Sequence, residues 1–291
     1  MIYFKDVQSV IFSMLASMIV FILYLLFLKD TFVDAIESSM TGLEQLVKAA
    51  DIDMLANGLL LAGILGSAMI TVPYNCLSTI VRDRENKIDY DISATPMKRW
   101  QIILSYFTAS VISAFLMSSV ILTVGTGILS AQGNLYLTTG IIASMYGIVL
   151  LGSISATAIF MLVVLFFHSS SASAAFFGIL SAATGFVIGA YIPISQFSEG
   201  VQTFCNLFPA SCVTILFRRA LLGGLLDHMN SDIGGVDQGL FVERLKEIFT
   251  FQANVFEQKV SVDWTVLYVL GFTVVCIVVM AAIYSKIYKR K

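Results

Sequence analysis

The chain has 291 residues, 58% of them hydrophobic and only 12% charged, with a net charge of −2. Soluble domains carry roughly 25% charged residues, so this composition and a mean hydropathy of +0.88 exclude a water-soluble globular protein. The near-neutral balance also excludes the basic surface that nucleic acid requires, and no nucleic-acid partner is expected.

A bilayer core about 30 Å thick takes about 20 apolar helical residues to cross. Six stretches qualify, at about 7–28, 55–80, 101–129, 137–167, 172–193 and 263–285. The runs are continuous and do not alternate, which specifies helices and not a barrel. The fold class expected is an all-α integral membrane protein, one transmembrane domain over 1–291. The run 7–28 is too long for a signal-peptide core and lacks a small-x-small site before Lys29, so it reads as a retained helix. The spans at 101–129 and 137–167 exceed one crossing and imply tilt or extension into water.

Residues 29–54 form an acidic loop in which Phe32, Val33, Ile36, Leu43, Leu46 and Val47 recur at near-helical spacing. After the second span, "VRDRENKIDYDISATPMKRW" (81–100) packs nine formal charges into twenty positions, five basic and four acidic. Asp83 and Asp91 each stand four residues from Lys87, a spacing for pairing within a helix, and Pro96 would stop that helix. "HSSSA" (168–172) makes a minimal turn. The segment 194–262 is the largest loop. Within it "GGLLDHMNSDIGGVDQG" reads as a linker. "LFVERLKEIFTF" reads as an amphipathic helix, with Phe241, Leu245, Ile248 and Phe249 on one face. It would either cap the protein or bind a substrate or partner.

Lys and Arg near span ends set orientation. With both termini cytoplasmic, ten basic residues lie inside and seven outside, and five of nineteen acidic residues fall inside. Segments 29–54 and 194–262 are then outer. Trp100 and Trp264 stand at span edges, where indoles prefer the interface.

Motifs for chemistry are missing from the sequence. There is no phosphate-binding loop, no His-Glu-x-x-His, no Cys-x-x-Cys and no Gly-x-Ser-x-Gly elbow. His168 and His228 stand apart, and Cys76, Cys205, Cys212 and Cys276 lack metal spacing, so all read as packing or edge residues; no metal is expected. The six cores hold no Asp, Glu, Lys or Arg, which argues against an ion-coupled carrier and places the energy source outside the chain. Small residues are frequent in the spans, among them Gly63 and Ser67 in the second and Gly185 and Gly189 in the fifth. They suit tight helix packing or a moving seam. Phe177 and Phe186 either pack or line an apolar substrate path.

Two stretches carry a family likeness. One is Arg84-Glu85, "NKIDYDISA", then Thr95-Pro96 and "MKRWQII". The other is "GAYIPISQFSEGVQTFCNLFPASCVTILFRRALLGG", with Pro193, Pro209 and Arg218. In order and spacing they resemble the permease subunits of bacterial ABC-2-type transporters. Residues 1–10 leave room for only a stub of the family's surface helix, and the segment 223–262 is longer than the family minimum.

The resemblance implies six spans and a re-entrant outer hairpin between spans five and six, at Pro193, Pro209 and Arg218. It implies two cytosolic ABC ATPase subunits, which would hold ATP and Mg, and a second permease, identical or paralogous. This chain would bind no cofactor and would not itself be an enzyme. Residues from about 84 to 98 would be the coupling helix, with Arg84, Glu85, Lys87, Asp89, Asp91, Thr95, Pro96 and Lys98 facing the ATPase. The second and fifth spans of two permeases would shift to expel a hydrophobic or amphipathic cargo (a drug, lipid-like molecule or antimicrobial peptide) from a bacterial plasma membrane. The alternative is a sensor or immunity protein that binds an extracellular peptide without transport. A membrane-embedded enzyme would need a surface cluster of His, Asp or Glu, which the sequence lacks.

Overall fold

The structure, a computed structural model, describes residues 29–38, 47–88, 97–234, 237–256 and 258–287. The expected span 7–28 and both termini lie outside these residues. In chain order the helices are α1 (Lys29–Ser38), α2 (Ala49–Glu85), α3 (Arg99–Gln132), α4 (Thr139–Val164) and α5 (Ser170–Val187). There follow a 3-10 turn (Ile194–Gln196), α6 (Glu199–Leu207), α7 (Pro209–Ile233) and α8 (Leu240–Ile248). A two-residue hairpin, β1 (Asn254–Val255) with β2 (Gln258–Lys259), then leads into α9 (Val262–Ile287).

Among the described residues six helices are long and apolar enough to cross a membrane: α2, α3, α4, α5, α7 and α9. Five match expected spans. The sixth, α7, lies in the stretch 194–262 that the sequence assigned to the outer side. Its "GGLLDHMNSDI" portion, expected as a linker, is helical to Ile233. Burial outweighs the low helix propensity of Gly, Asp and Asn there. Leu222, Leu225, Leu226, Met229 and Ile233 are all buried at helical spacing.

The bundle is built around α2. In its most apolar stretch 94% of residues are buried, against 17% for α5 and 22% for α9. Helices α3, α4, α5 and α7 all pack on it. Close approach is possible because α2 is bare where its neighbours cross. A Cβ on Gly58 would lie 2.2 Å from Leu222, one on Gly63 3.0 Å from Ala190, and one on Gly66 2.0 Å from Thr214. Helix α5 runs antiparallel to α2, from Ser170 beside Glu85 to Ala190 beside Gly63. That is about 30 Å at 1.5 Å per residue, one hydrocarbon thickness. The portion of α2 before Gly63 extends beyond the end of α5 and packs with α1 and the second half of α7.

Of the expected amphipathic segments, 29–38 and 240–248 are helical. Helix α1 buries Phe32 and Ile36, and α8 buries Phe241, Val242 and Leu245. Leu43 and Leu46 lie outside the described residues. The six candidate spans and the apolar surface of α5, α3 and α9 define a multi-pass membrane protein.

Replacing Gly66 with Ala is expected to destabilise the bundle by about 1–3 kcal/mol through overpacking against Thr214. Gly127, with nothing within 4 Å of its would-be Cβ, should accept Ala without loss. Thermal unfolding of both variants in detergent measures the contrast.

Candidate functional site

Helix α2 ends at Glu85, and Asn86 and Lys87 form a turn in which Lys87 takes φ 60°. Arg84 and Glu85 are therefore the last turn of a span, not the start of a separate coupling helix as the sequence reading had them. Their side chains are engaged within the chain. One guanidinium nitrogen of Arg84, Nη1, donates to Leu165 O at 2.8 Å and to Phe167 O at 2.9 Å. These carbonyls follow the C-terminus of α4, where a helix leaves acceptors unpaired and its dipole favours a cation. Glu85 Oε2 accepts the backbone N–H of Ser170 at 3.1 Å. Ser170 opens α5, where N–H groups are unpaired and an anion is favoured. Adjacent residues of α2 thus fasten the end of α4 and the start of α5.

The rest of this end supports the junction. Tyr106 on α3 donates its hydroxyl to Asp83 Oδ2 at 2.6 Å, so Asp83 meets a neighbouring helix. Tyr74, 1% exposed, donates to Ser173 O at 3.0 Å and stacks on Phe177 with centroids 5.4 Å apart. Phe177 is thereby a packing residue of the α2–α5 seam. Lys87 and Lys98 are exposed, and the backbone N–H of Lys98 donates to Gln101 Oε1 at 2.8 Å. Asp89, Asp91, Thr95 and Pro96 lie outside the described residues. Ile88 and Met97, at the two borders of that segment, are 42% and 47% exposed.

A second constellation lies at the other end of α5. Gly189 has φ +66°, and its N–H donates to Phe186 O while that of Ala190 donates to Gly185 O. This is a Schellman cap. The Gly185-x-x-x-Gly189 spacing, expected to form a packing face, instead serves the helix end, and the space left by Gly185 receives Tyr191. Phe186 faces outward at 48% exposure, with its ring edge-on to Tyr191. Ser67 is buried and donates to Ile64 O within its own helix.

Arg218, on α7 and 3% exposed, reaches this cap. Its Nη2 donates to Ile188 O at 3.2 Å and to Gly189 O at 2.7 Å, and its Nη1 donates to Phe249 O at 2.8 Å. The buried charge is spread over carbonyls at the C-terminal ends of α5 and α8. Pro209 stands at the first position of α7, where its missing N–H costs nothing. Pro193 precedes the 3-10 turn, and Tyr268 of α9 donates to Leu207 O at the end of α6 at 2.7 Å. The stretch Pro193–Arg218 is thus a helix–elbow–helix unit held at both ends.

The fold brings together one group that no sequence motif marks. Ligand atoms of Asp51, His228 and Asp232 lie within 4.8 Å of one another. Lys48 Nζ already bridges Asp232 Oδ2 at 2.8 Å, and the His228 ring lies 4.4 Å from that of Tyr136. The Asp232 hydrogen bond raises the Lys48 pKa above its usual value. Its share of the bridge is intact through neutral pH and is lost only as pH rises through that raised pKa. The four cysteines are buried and none is joined in a disulfide, matching their reading as packing residues.

The described residues form one long helical bundle with two helix-end clamps. A family model described as ABC-2 family transporter protein matches residues 44–285. The chain belongs to that family and is a permease subunit of an ABC transporter, a class that works with ABC ATPase partners. No curated protein and no solved structure gives a match.

Arg218→Met keeps the bulk but removes every donor from three carbonyls. It is expected to cost roughly 3 kcal/mol or more, measured as lowered thermal stability, with Arg218→Lys intermediate.

Proposed function

We propose that this chain is the transmembrane subunit of an ATP-driven exporter in a bacterial plasma membrane. It works with two cytosolic ATPase subunits, which hold ATP and Mg, and with a second permease, identical or paralogous. The observation that carries this reading is the Arg84–Glu85 junction. The charged segment 87–98 includes exposed Ile88 and Met97 and follows directly from the residues that grip α4 and α5. An ATPase docked there displaces the end of α2, and the two side chains pass that displacement to the C-terminus of α4 and the N-terminus of α5. Mixed surface charges give register more than affinity to such docking.

Of the second and fifth spans expected to shift, α2 is enclosed by its neighbours among the described residues and does not suit an exposed moving surface. Among the described residues helix α5 is bare along most of its length and is gripped at its ends and along α2, which makes it the better surface. Its face carries apolar side chains such as Ile179 at 71% exposure. This favours a hydrophobic or amphipathic cargo, a drug, lipid-like molecule or antimicrobial peptide.

In vesicles holding the permease with its cognate ATPase, the double variant Arg84→Ala, Glu85→Ala is expected to retain ATPase binding. Permease-stimulated ATP turnover and cargo loss on ATP addition should fall at least tenfold. Unchanged turnover would overturn the junction's role. A wild-type complex that hydrolyses ATP but releases no cargo of any class would instead support the sensor or immunity reading.

A further inference from the structure

Beyond the bundle, α7, α8 and the β1–β2 hairpin enclose a half-open cleft of about 740 Å³, a volume typical of small-ligand sites. Its position along α2 fixes its side of the membrane. Leu222 of α7, beside the cleft-lining Gly223, meets Gly58. Gly58 lies 27 residues from Glu85, about 40 Å along the helix and more than the roughly 30 Å of a hydrocarbon core. With Glu85 at the cytoplasmic face, the cleft opens to the outer aqueous phase.

The floor is one face of α7. Arg219, Gly223 and Asp227 stand four residues apart and all line the cleft. Arg219 and Asp227 are exposed, and neither side chain has a hydrogen-bond or ion-pair partner among the described residues. Between them a Cβ on Gly223 would meet nothing within 4 Å, so the helix surface there is open to a ligand. Cation, bare backbone and anion thus lie in a row, with the charged positions eight residues or about 12 Å apart. The facing helix α8 adds Glu243, Lys246 and Glu247, the last of them ion-paired with Lys259 of β2. Deeper in the wall, Asn206 is 2% exposed and donates its amide to Asn254 O at 2.8 Å. Its Oδ1 has no partner among the described residues and suits a ligand N–H.

We infer that this cleft binds a short peptide with free ends, its carboxylate at Arg219 and its ammonium at Asp227. Three to four extended residues span about 10–14 Å, which matches the separation of the two charges. A free amino acid carries both charges on one Cα and cannot reach both ends. A polyamine offers nothing to Arg219. Apolar cargo has no partner on this floor, so the site is separate from the bare apolar face of α5.

The test is calorimetric titration of the full chain in lipid nanodiscs with tetra-alanine, N-acetyl-tetra-alanine and tetra-alanine amide. Neither ATPase nor nucleotide is present, so failure here leaves the transport reading untouched. The free-ended peptide is expected to bind, with each blocked form at least tenfold weaker. Asp227→Asn should remove discrimination against the acetylated form, and Arg219→Gln discrimination against the amide. Gly223→Leu, which fills open space and leaves the bundle's thermal stability unchanged, should abolish binding. No heat at millimolar free-ended peptide, equal binding of all three forms, or full binding by folded Gly223→Leu would each overturn the proposal.

Discussion

One buried guanidinium, that of Arg218, joins segments that would otherwise end in unpaired carbonyls inside the protein. Helix α5 is only 18 residues long and stops against the first half of α7, with its cap residues Ile188 and Gly189 buried. Ile188 O and Gly189 O turn to Arg218, and Phe249 O arrives from the end of α8 on the same group. Three carbonyls accept from the two terminal nitrogens of this buried cation, and its removal strands each of them. The position of α5 against α7, and of the outer cap against both, follows from this contact. Gly63 and Gly66 of α2 then hold the same two helices close from the other side.

The two clamps obey one electrostatic rule. Arg218 and Arg84 sit at C-terminal helix ends, and Glu85 sits at an N-terminal one, each matching the sign of the local helix dipole. Such contacts draw on backbone groups that every helix end must satisfy. They therefore use acceptors and donors that the helix ends already supply inside the bundle, where an ion pair carries a large desolvation cost. Helix α5 is gripped at both ends in this way, by Glu85 at Ser170 and by Arg218 at Ile188 and Gly189. Displacement at either end is felt along a rod one bilayer thick.

Much of this was legible in the sequence. Runs of apolar residues marked the spans, and the elbow prolines and the Arg nine residues on from the second were visible as a pattern. The exception among the long helices, α7, was hidden because the Gly, Asp and Asn residues of its second half read as a linker. The counter-signal was Leu222, Leu225, Leu226, Met229 and Ile233 at helical spacing. Arg84 and Glu85 stood out, but their partners are backbone atoms of Leu165, Phe167 and Ser170, which no residue identity reports. Gly185 and Gly189 have the spacing of a packing face, yet only the backbone conformation separates that from a Schellman cap. The Lys48–Asp232 bridge joins residues 184 positions apart, beyond any local periodicity.

The burial of α2 also has a consequence for how the protein is made. Gly58 and Gly66 meet Leu222 and Thr214, residues synthesised about 150 positions later. At roughly 5–20 residues per second, α2 waits on the order of ten seconds or more in the nascent chain before α7 covers it. Throughout that interval its bare glycine face stands against lipid or against the insertion machinery. The most central helix of the finished protein is thus among the first made and the last enclosed, and its own apolarity must hold it in the bilayer until its neighbours arrive.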